Sequence, residues 1–281
     1  MVHNLYLRFP GGKSKALTLS YDDGVEQDVR LVKLMDKYHV RGTFNLNSGK
    51  FAPEGTVYPA GQTHRRMTKQ AILDLYKDSV HEVAVHTSTH PSLTLVPTAS
   101  AAREVTDDRE VLEEMFQIPI RGMAYPNGAY DDSVVDVLRM CGIAYARTTI
   151  SSYNFDLPTE PLKLAATCHH NNPTLMELAD EFLNTQPKRD GYLFYLWGHA
   201  YEFEDRDNWD VIEKFLAKVS GKEDVWYATN IEIIDYINAY RRLELSVDMR
   251  ILHNPTALDL YVIHDRTPYR IPAGGTVYVE N

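Results

Sequence analysis

The chain has 281 residues, of which 44% are hydrophobic, so it is long enough to bury a sizeable core in one large domain. Its net charge is −10, and its one tight basic cluster, His64-Arg65-Arg66, is too short to follow a phosphate backbone, which argues against nucleic acid as a partner. No apolar stretch reaches the roughly 18 residues of a membrane span, and the first residues lack a secretory signal. We therefore expect no membrane partner and a cytoplasmic location, or secretion if the N-terminus was trimmed. Cys141 and Cys168 form neither a CxxC pair nor a disulfide framework.

Short β-type runs alternate with helical patterns over most of the chain, which predicts repeated βα units around a parallel sheet or barrel. Strands are predicted near Ala16–Tyr21, Gly42–Asn45, Glu82–His86, Gly122–Tyr125, Ala144–Arg147, Leu193–Trp197 and Val225–Ala228. Helices are predicted near Gln27–His39, Thr68–Lys77, Ser100–Phe116, Asp132–Cys141, Leu175–Asn184, Trp209–Val219 and Ile231–Arg241. Thr174 and Glu177 have capping-box spacing, and Gly142 stands where a glycine would end a helix.

Two stretches depart from this βα rhythm. Residues 47–66 (NSGKFAPEGTVYPAGQTHRR) are rich in Gly, Pro and polar residues, which predicts a long loop or hairpin insertion that carries binding residues. From residue 242 the pattern changes to short alternating segments, SVDMRIL, LDLYVI and TVYVEN, typical of a small antiparallel β appendage. We therefore divide the chain into a main domain, 1–241, and an appendage, 242–281, which could cap the barrel, help form a dimer or shape a substrate groove.

Carboxylate and imidazole motifs follow two of the predicted strands. Asp22 and Asp23 lie in SYDDG directly after an apolar run, and His86 and His90 lie in HTSTH after the run HEVAV. Taken alone, Asp-Gly after a strand is typical of a turn, and such a histidine pair is as typical of hydrogen bonding as of ligation. Two imidazoles four positions apart could nevertheless converge on one metal ion.

Two further motifs end predicted strands. The Pro-Asn-Gly turn at Asn127 has backbone N–H groups that could point at a developing oxyanion, although an ordinary βα loop has the same pattern. His199 ends an apolar strand, where a lone histidine is more often structural. All four motifs fall at the carboxyl ends of strands, where βα barrels assemble their active sites, and this convergence favours catalysis. The flanking residues that we predict to contact substrate are Tyr125, Pro126, Tyr130, Trp197 and Tyr201.

The order and spacing of these motifs resemble the polysaccharide deacetylase family, also called the NodB-homology or carbohydrate esterase family 4 fold, over about residues 14–240. SYDDG is similar to the family's first motif, Thr-Phe-Asp-Asp-Gly, and HTSTH matches its second, His-Ser/Thr-x-x-His, in full. The resemblance implies an α/β fold, a distorted (β/α) barrel of about seven strands. It also implies Asp22 as general base, Asp23, His86 and His90 as metal ligands, and His199 as general acid.

The third motif departs from the family pattern. Arg-Pro-Pro-Tyr-Gly corresponds here to AYPNG, which places Ala124 where the family has the arginine that orients the catalytic aspartate. Asn127 stands in place of the oxyanion-donating tyrosine and can still donate, because the donor is a backbone N–H. Arg121 lies three positions from Ala124, and no Asp-Trp motif that would partner the lost arginine is found, which suggests a divergent branch. The run Cys168-His169-His170 follows another apolar segment and is a candidate for a site residue or, more typically, a structural one.

The predicted activity is metal-dependent hydrolysis of N- or O-linked acetyl groups on an amino sugar, oligosaccharide or polysaccharide. Two imidazoles and one carboxylate leave coordination positions open, and their borderline softness favours zinc, with cobalt, nickel, manganese or iron as alternatives. Two other functions stay open. One is an amidohydrolase of a non-sugar amide or cyclic imide, which the missing arginine favours. The other is a non-catalytic carbohydrate-binding protein, which the presence of Asp22 and His199 disfavours.

Overall fold

The computed structural model describes residues 3–279. Its strands are β1 (Leu5–Arg8), β2 (Lys15–Asp22), β3 (Gly42–Leu46), β4 (Glu82–Val85), β5 (Gly122–Ala124), β6 (Tyr145–Ser151), β7 (Leu164–Ala166), β8 (Cys168–His169), β9 (Tyr192–Gly198), β10 (Val225–Tyr227), β11 (Glu244–Leu245), β12 (Ile251–His253), β13 (Leu260–His264), β14 (Thr267–Ile271) and β15 (Thr276–Tyr278). Its α-helices are α1 (Asp28–Lys37), α2 (Lys69–Tyr76), α3 (Thr98–Phe116), α4 (Asp132–Met140), α5 (Leu175–Asn184), α6 (Tyr201–Asp205), α7 (Trp209–Val219) and α8 (Asn230–Arg241).

The main sheet has nine strands in the order β7-β6-β5-β4-β3-β2-β9-β8, with β10 beside β2. Every neighbouring pair in it is parallel. The single segment 164–169 pairs with β6 through β7, with a register shift, and with β9 through β8. It therefore links the two ends of the strand order, and the predicted α/β architecture of a distorted barrel is confirmed.

The central strand β2 is buried on both faces, although Thr18, Ser20 and Asp22 in it are polar. All eight residues of β2 are buried, because helices cover the sheet on its outer face and a second apolar cluster fills its inner face. Val134 and Leu138 of α4 and Leu178 and Phe182 of α5 face the outer core at helical spacing. The rigid sheet fixes the positions of the loops at its carboxyl ends.

All seven predicted strands and all seven predicted helices form within a few residues of their predicted ends. The sequence analysis missed β1, β7, β8, β11, β14 and α6, which are two to five residues long and carry too little periodicity to detect. The predicted capping box at Thr174 is wrong, since its side chain makes no capping bond. A capping box forms instead at Thr229 and Glu232, at the start of α8. Gly142 follows α4 with φ 72°, as predicted.

The C-terminal residues form the predicted antiparallel appendage, in two small sheets, β1-β13-β14 and β11-β12-β15. Strand β1 comes from the N-terminus and pairs with β13 along Leu5–Arg8, so one sheet joins the two ends of the chain. The division between residues 241 and 242 stays a prediction. Within residues 3–279, none of the helices combines the length and apolarity needed to cross a bilayer.

Candidate metal and catalytic site

Strand register brings the four motifs to one rim, which we call the carboxyl rim of the sheet. Asp22, the last residue of β2, lies opposite Asn45 of β3, and Tyr21 lies opposite Gly198 of β9. His86 follows the last residue of β4 directly. Because parallel strands end on the same side, motifs that are far apart in the sequence meet at this rim.

Asp23, His86 and His90 form a metal-competent group, with all three ligand atoms within 4.8 Å of one another. Asp23 Oδ1 lies 3.9 Å from His86 Nε2 and 4.0 Å from His90 Nε2. His86 Nδ1 lies 2.8 Å from the carbonyl oxygen of Ala124, which only accepts, so Nδ1 carries the proton. The lone pair of His86 therefore sits on Nε2 and faces Asp23, which is the tautomer that a metal ligand requires.

The charge states of this group also suit a divalent cation. Burial lowers the pKa of His86 to about 4 and lowers the pKa of His90, so both imidazoles are neutral at pH 7. Burial acts to raise the pKa of Asp23, but the bond from His64 and the charge of Arg66 outweigh it, and the pKa is lowered. Neutral imidazoles and an ionised carboxylate are the forms that bind metal.

The insertion at residues 47–66 supplies two side chains that hold Asp23. His64 Nε2 lies 3.2 Å from Asp23 Oδ2, and Arg66 Nη2 donates to Asp23 Oδ1 over 2.8 Å. Arg66 also donates to Asn47 Oδ1 over 2.7 Å. The prediction that this insertion carries binding residues is consistent with these contacts, although sequence reasoning did not single out His64 or Arg66 as partners of Asp23.

The loops of the site hold unusual backbone conformations. Asp23 has φ 87°, Thr87 has φ 65°, His90 has φ 64° and Asn127 has φ 56°, all in the left-handed region. Such residues cost about 1–3 kcal/mol each and concentrate at functional sites. For the β-branched Thr87 the conformation is a genuine outlier. The fold thus holds both metal-binding motifs and the Asn127 turn in strained geometry.

Asp22 is clamped by an arginine that the sequence analysis missed. Both of its carboxylate oxygens accept from Arg147 Nη2, and Oδ1 also accepts from Asn45 Nδ2 over 2.8 Å. Arg147 is fully buried, and its guanidinium carbon lies 4.4 Å from the centre of the Trp197 ring. Burial acts to raise the pKa of Asp22, but Arg147 and neighbouring imidazoles outweigh it, so the pKa is lowered.

Arg147 resolves the departure at the third motif. Ala124, where the family has its arginine, lies directly opposite Arg147 in the pairing of β5 with β6, so the guanidinium arrives from the neighbouring strand. Arg121, which stands next to the motif in sequence, instead pairs with Asp235 at 2.6 Å. Arg147 also ends a predicted strand, and this position was the signal that could have found it.

His199 faces Asp22 from the other side of the site. Its Nδ1 lies 2.7 Å from Glu202 Oε1, and its Nε2 lies 3.8 Å from Asp22 Oδ2. Burial acts to lower the pKa of His199, but the bond to Glu202 and the charge of Asp22 outweigh it, so the pKa is raised. His199 therefore keeps its proton to higher pH than a free histidine, as a general acid needs.

A second group of imidazoles surrounds Glu202. His169 Nε2 lies 3.5 Å from Glu202 Oε1, and His170 Nε2 lies 3.3 Å from Glu202 Oε2. The backbone N–H of Asn171 donates to His169 Nδ1 over 3.1 Å, so the ring proton of neutral His169 sits on Nε2 and points at Glu202. This tautomer suits a hydrogen bond. A Cβ on Gly198 would collide with His170 Nδ1, so only glycine fits before His199.

The aromatic residues predicted to contact substrate lie in different surroundings. Tyr125 is buried, donates its hydroxyl to the carbonyl of Leu162 over 2.7 Å and stacks on Tyr130, with ring centres 5.2 Å apart. Trp197 is 8% exposed and covers Arg147. Their contacts explain Tyr125 and Trp197 as supports of the site, and their contact with substrate stays a prediction.

Asn127, Pro126 and Tyr201 occupy the edges of the site. Asn127 is exposed, and its side chain donates to Ser92 Oγ over 3.0 Å. Within residues 3–279 its backbone N–H makes no hydrogen bond, so this donor is available. Pro126 is buried beneath the turn, while half-buried Tyr201 meets His64 edge-on with ring centres 4.6 Å apart.

Comparison with known proteins agrees with the resemblance read from the motifs. Residues 10–146 match the family model described as polysaccharide deacetylase. No sequence among the curated proteins matches the chain.

Three solved structures are similar to the chain, and the first of them shares its fold. A Mycobacterium smegmatis protein provisionally described as a polysaccharide deacetylase is 16% identical, with a TM-score of 0.59 over 84% of this chain and 94% of its own. A Streptococcus pyogenes deacetylase in complex with acetate is 18% identical, with a TM-score of 0.41 over 47% of this chain and 55% of its own, so the chain spans about half its length. A CE4 family pseudoenzyme from Bacillus anthracis is 18% identical, with a TM-score of 0.48 over 82% of this chain and 68% of its own.

Proposed function

We propose, from the polysaccharide deacetylase domain that this chain carries over residues 10–146, that it removes acetyl groups from an amino sugar or oligosaccharide with one divalent metal ion. One observation carries the proposal. Asp22 Oδ2 lies 3.8 Å from His86 Nε2 and 3.8 Å from His199 Nε2, so one carboxylate stands between the metal-facing imidazole and the acid. A base and an acid on either side of one reacting centre is the arrangement that acyl hydrolysis requires.

Asp23, His86 and His90 would hold the metal. Their donor set and protonation states fit zinc, with cobalt, nickel, manganese or iron as the other candidates. Bound there, such an ion lowers the pKa of water and polarises the acetyl carbonyl.

The remaining residues would move protons and stabilise charge. Asp22, held in one orientation by Arg147, accepts the proton of the attacking water. His199, held by Glu202, delivers a proton to the leaving amine or alcohol. The free backbone N–H of Asn127 is the proposed oxyanion donor, and losing one such donor typically costs about 3 kcal/mol of barrier.

Acetate release tests this function. Protein stripped of metal and reloaded with zinc, cobalt or nickel is incubated with acetylated amino sugars, chito-oligosaccharides and acetylated xylan. Metal-dependent acetate from any of these supports the proposal. No acetate release from any substrate of the panel, with metal firmly bound, would instead favour hydrolysis of a non-sugar amide. Glycan binding that persists in Asp22→Asn, without turnover of any substrate, would favour a binding protein.

The main argument for the alternative function, an amidohydrolase of a non-sugar amide or cyclic imide, no longer holds. It depended on the absence of the arginine at Ala124, and Arg147 makes the equivalent contact to Asp22. An acetylated carbohydrate is therefore the substrate class that we put first.

A further inference from the structure

We infer that the cavity beside the metal ligands binds an acidic substituent of the substrate, a carboxylate or a phosphate on the sugar, through Lys50. The inference rests on the proposed function and narrows its substrate class. The cavity has a volume of about 400 Å³, and its lining includes Lys50, Tyr58, His64 and Arg66 of the insertion together with His90. Because His90 is also a proposed metal ligand, a substituent bound here belongs to the molecule under attack.

The charge of the cavity wall carries the argument. None of the residues that line it is acidic, although the whole chain has a net charge of −10. Lys50 is exposed, and its ammonium has no hydrogen-bond or ion-pair partner within residues 3–279. An unpaired ammonium in the cleft of an acidic protein attracts anions and repels cations.

Arg66 and Lys50 play different parts in this wall. Arg66 is already committed, since it donates to Asp23 and to Asn47. Carboxylates next to the wall are satisfied as well, because Asp23 accepts from Arg66, and Glu104 accepts from Thr89 over 2.7 Å. Lys50 therefore holds the one uncommitted positive charge of the lining, and it is the residue that would discriminate between acidic and neutral substrates.

A neutral sugar would gain little from this wall. Neutral rings are usually held by aromatic faces and amide groups, whereas a carboxylate or phosphate gains charge-assisted hydrogen bonds from ammonium and guanidinium groups. The hydroxyl of Tyr58, the aromatic residue of the insertion that lines the cavity, is already donated to the carbonyl of Arg66 over 2.7 Å. The wall is thus better suited to an anion than to a neutral ring.

A matched substrate series tests the inference on the full-length, metal-loaded protein. The probes are a neutral acetylated disaccharide, the same disaccharide with a lactyl carboxylate, and its 6-phosphate ester. We expect kcat/KM for at least one acidic probe to exceed that for the neutral probe by about 10-fold, with the advantage shrinking in high salt. The acidic probe with the larger increase in kcat/KM shows whether the cavity is suited to a carboxylate or to a phosphate.

Variants of Lys50 supply the control. Lys50→Ala should lower kcat/KM for the acidic probe far more than for the neutral one, and Lys50→Arg should retain the acidic advantage. Lys33→Ala, which removes an exposed lysine of α1 outside the cavity, should change neither value. An equal effect of Lys50→Ala on both probes, or no preference in the wild type, would overturn the inference while leaving deacetylation intact. If no probe is turned over, the proposed function fails. In that case calorimetry with the deacetylated acidic disaccharide tests the anion site separately. The inference requires that the wild type binds this disaccharide and that Lys50→Ala weakens the binding.

Discussion

Two clusters of imidazole and carboxylate groups lie on the same rim of the sheet. They differ in which ring nitrogen of a histidine carries the proton. Asp23 with His86 and His90, and Glu202 with His169 and His170, each bring three ligand atoms within 4.8 Å of one another. His86 gives its Nδ1 proton to a carbonyl, so its Nε2 lone pair faces Asp23. His169 accepts an N–H at Nδ1, so its Nε2 proton faces Glu202.

Residue types and distances alone therefore do not define a metal site. The partner of the far ring nitrogen decides whether an imidazole offers a lone pair or a proton to the carboxylate. We therefore assign the metal to the first cluster. In the second cluster the hydrogen bonds to Glu202 come from Asn171 and His199, so Glu202 serves to hold the acid His199.

The largest expected effect separates the two clusters directly. His86→Ala should abolish stoichiometric metal binding and lower acetate release by about 10³-fold or more, because several kcal/mol of transition-state stabilisation are lost with the ion. His169→Ala should keep one ion per chain. Elemental analysis of the dialysed proteins measures both, and loss of the ion from His169→Ala alone would reverse the assignment.

Arg147→Met should reduce activity strongly while the metal stays bound. It leaves the carboxylate of Asp22 buried without its guanidinium, and breaking a buried pair costs about 3–5 kcal/mol of unfolding free energy. Arg121→Met is the matched control, because its pair with Asp235 is 39% exposed on both sides and should be worth at most about 1 kcal/mol. Urea unfolding compares the two, and equal losses would contradict the role given to Arg147.

Glu202→Gln should change the pH profile more than the metal content. Glu202 helps to raise the pKa of His199, so the wild-type acid stays protonated to higher pH. Without the carboxylate that pKa falls, and the alkaline decline of kcat/KM should move to lower pH, with activity lowered at most about 10²-fold. An unchanged alkaline limb would show that His199 is not the titrating acid.

The smallest effect concerns the support of the metal cluster. Asp108 accepts the backbone N–H groups of Ser48 and His86, and burial raises its pKa to about 7. The folded protein therefore takes up a proton that the unfolded chain lacks between pH 4 and 7, so this contribution to stability is present at low pH and lost as pH rises through 7. The free energy of unfolding of Asp108→Asn, measured with urea, should thus increase relative to that of the wild type as the pH rises from 5 to 7. A constant gap would contradict the raised pKa.

Local motifs were enough to predict the core of the candidate site. The motifs that contain Asp22, Asp23, His86, His90 and His199 each follow the end of a strong apolar run. The strand pattern and the parallel topology therefore place them on one rim. The short strands β7 and β8 were missed because two or three residues carry no usable period.

Partners that depend on register or on loop folding could not be derived in this way. Arg147 reaches Asp22 because it lies opposite Ala124 across two strands, a pairing that spacing along the chain does not specify. His64 and Arg66 contact Asp23 from more than 40 positions away, through an insertion with no regular pattern. The tautomers of His86 and His169 depend on single backbone groups, which only the folded chain brings into place.

Titration of zinc into stripped protein, with acetate release followed on an active acetylated substrate, tests the central claim most directly. The account predicts that activity rises from near zero and saturates at one equivalent in both the wild type and His169→Ala, and stays near zero in His86→Ala. Full activity before zinc is added, or saturation only at two equivalents with loss in His169→Ala, would contradict a single catalytic ion held by Asp23, His86 and His90.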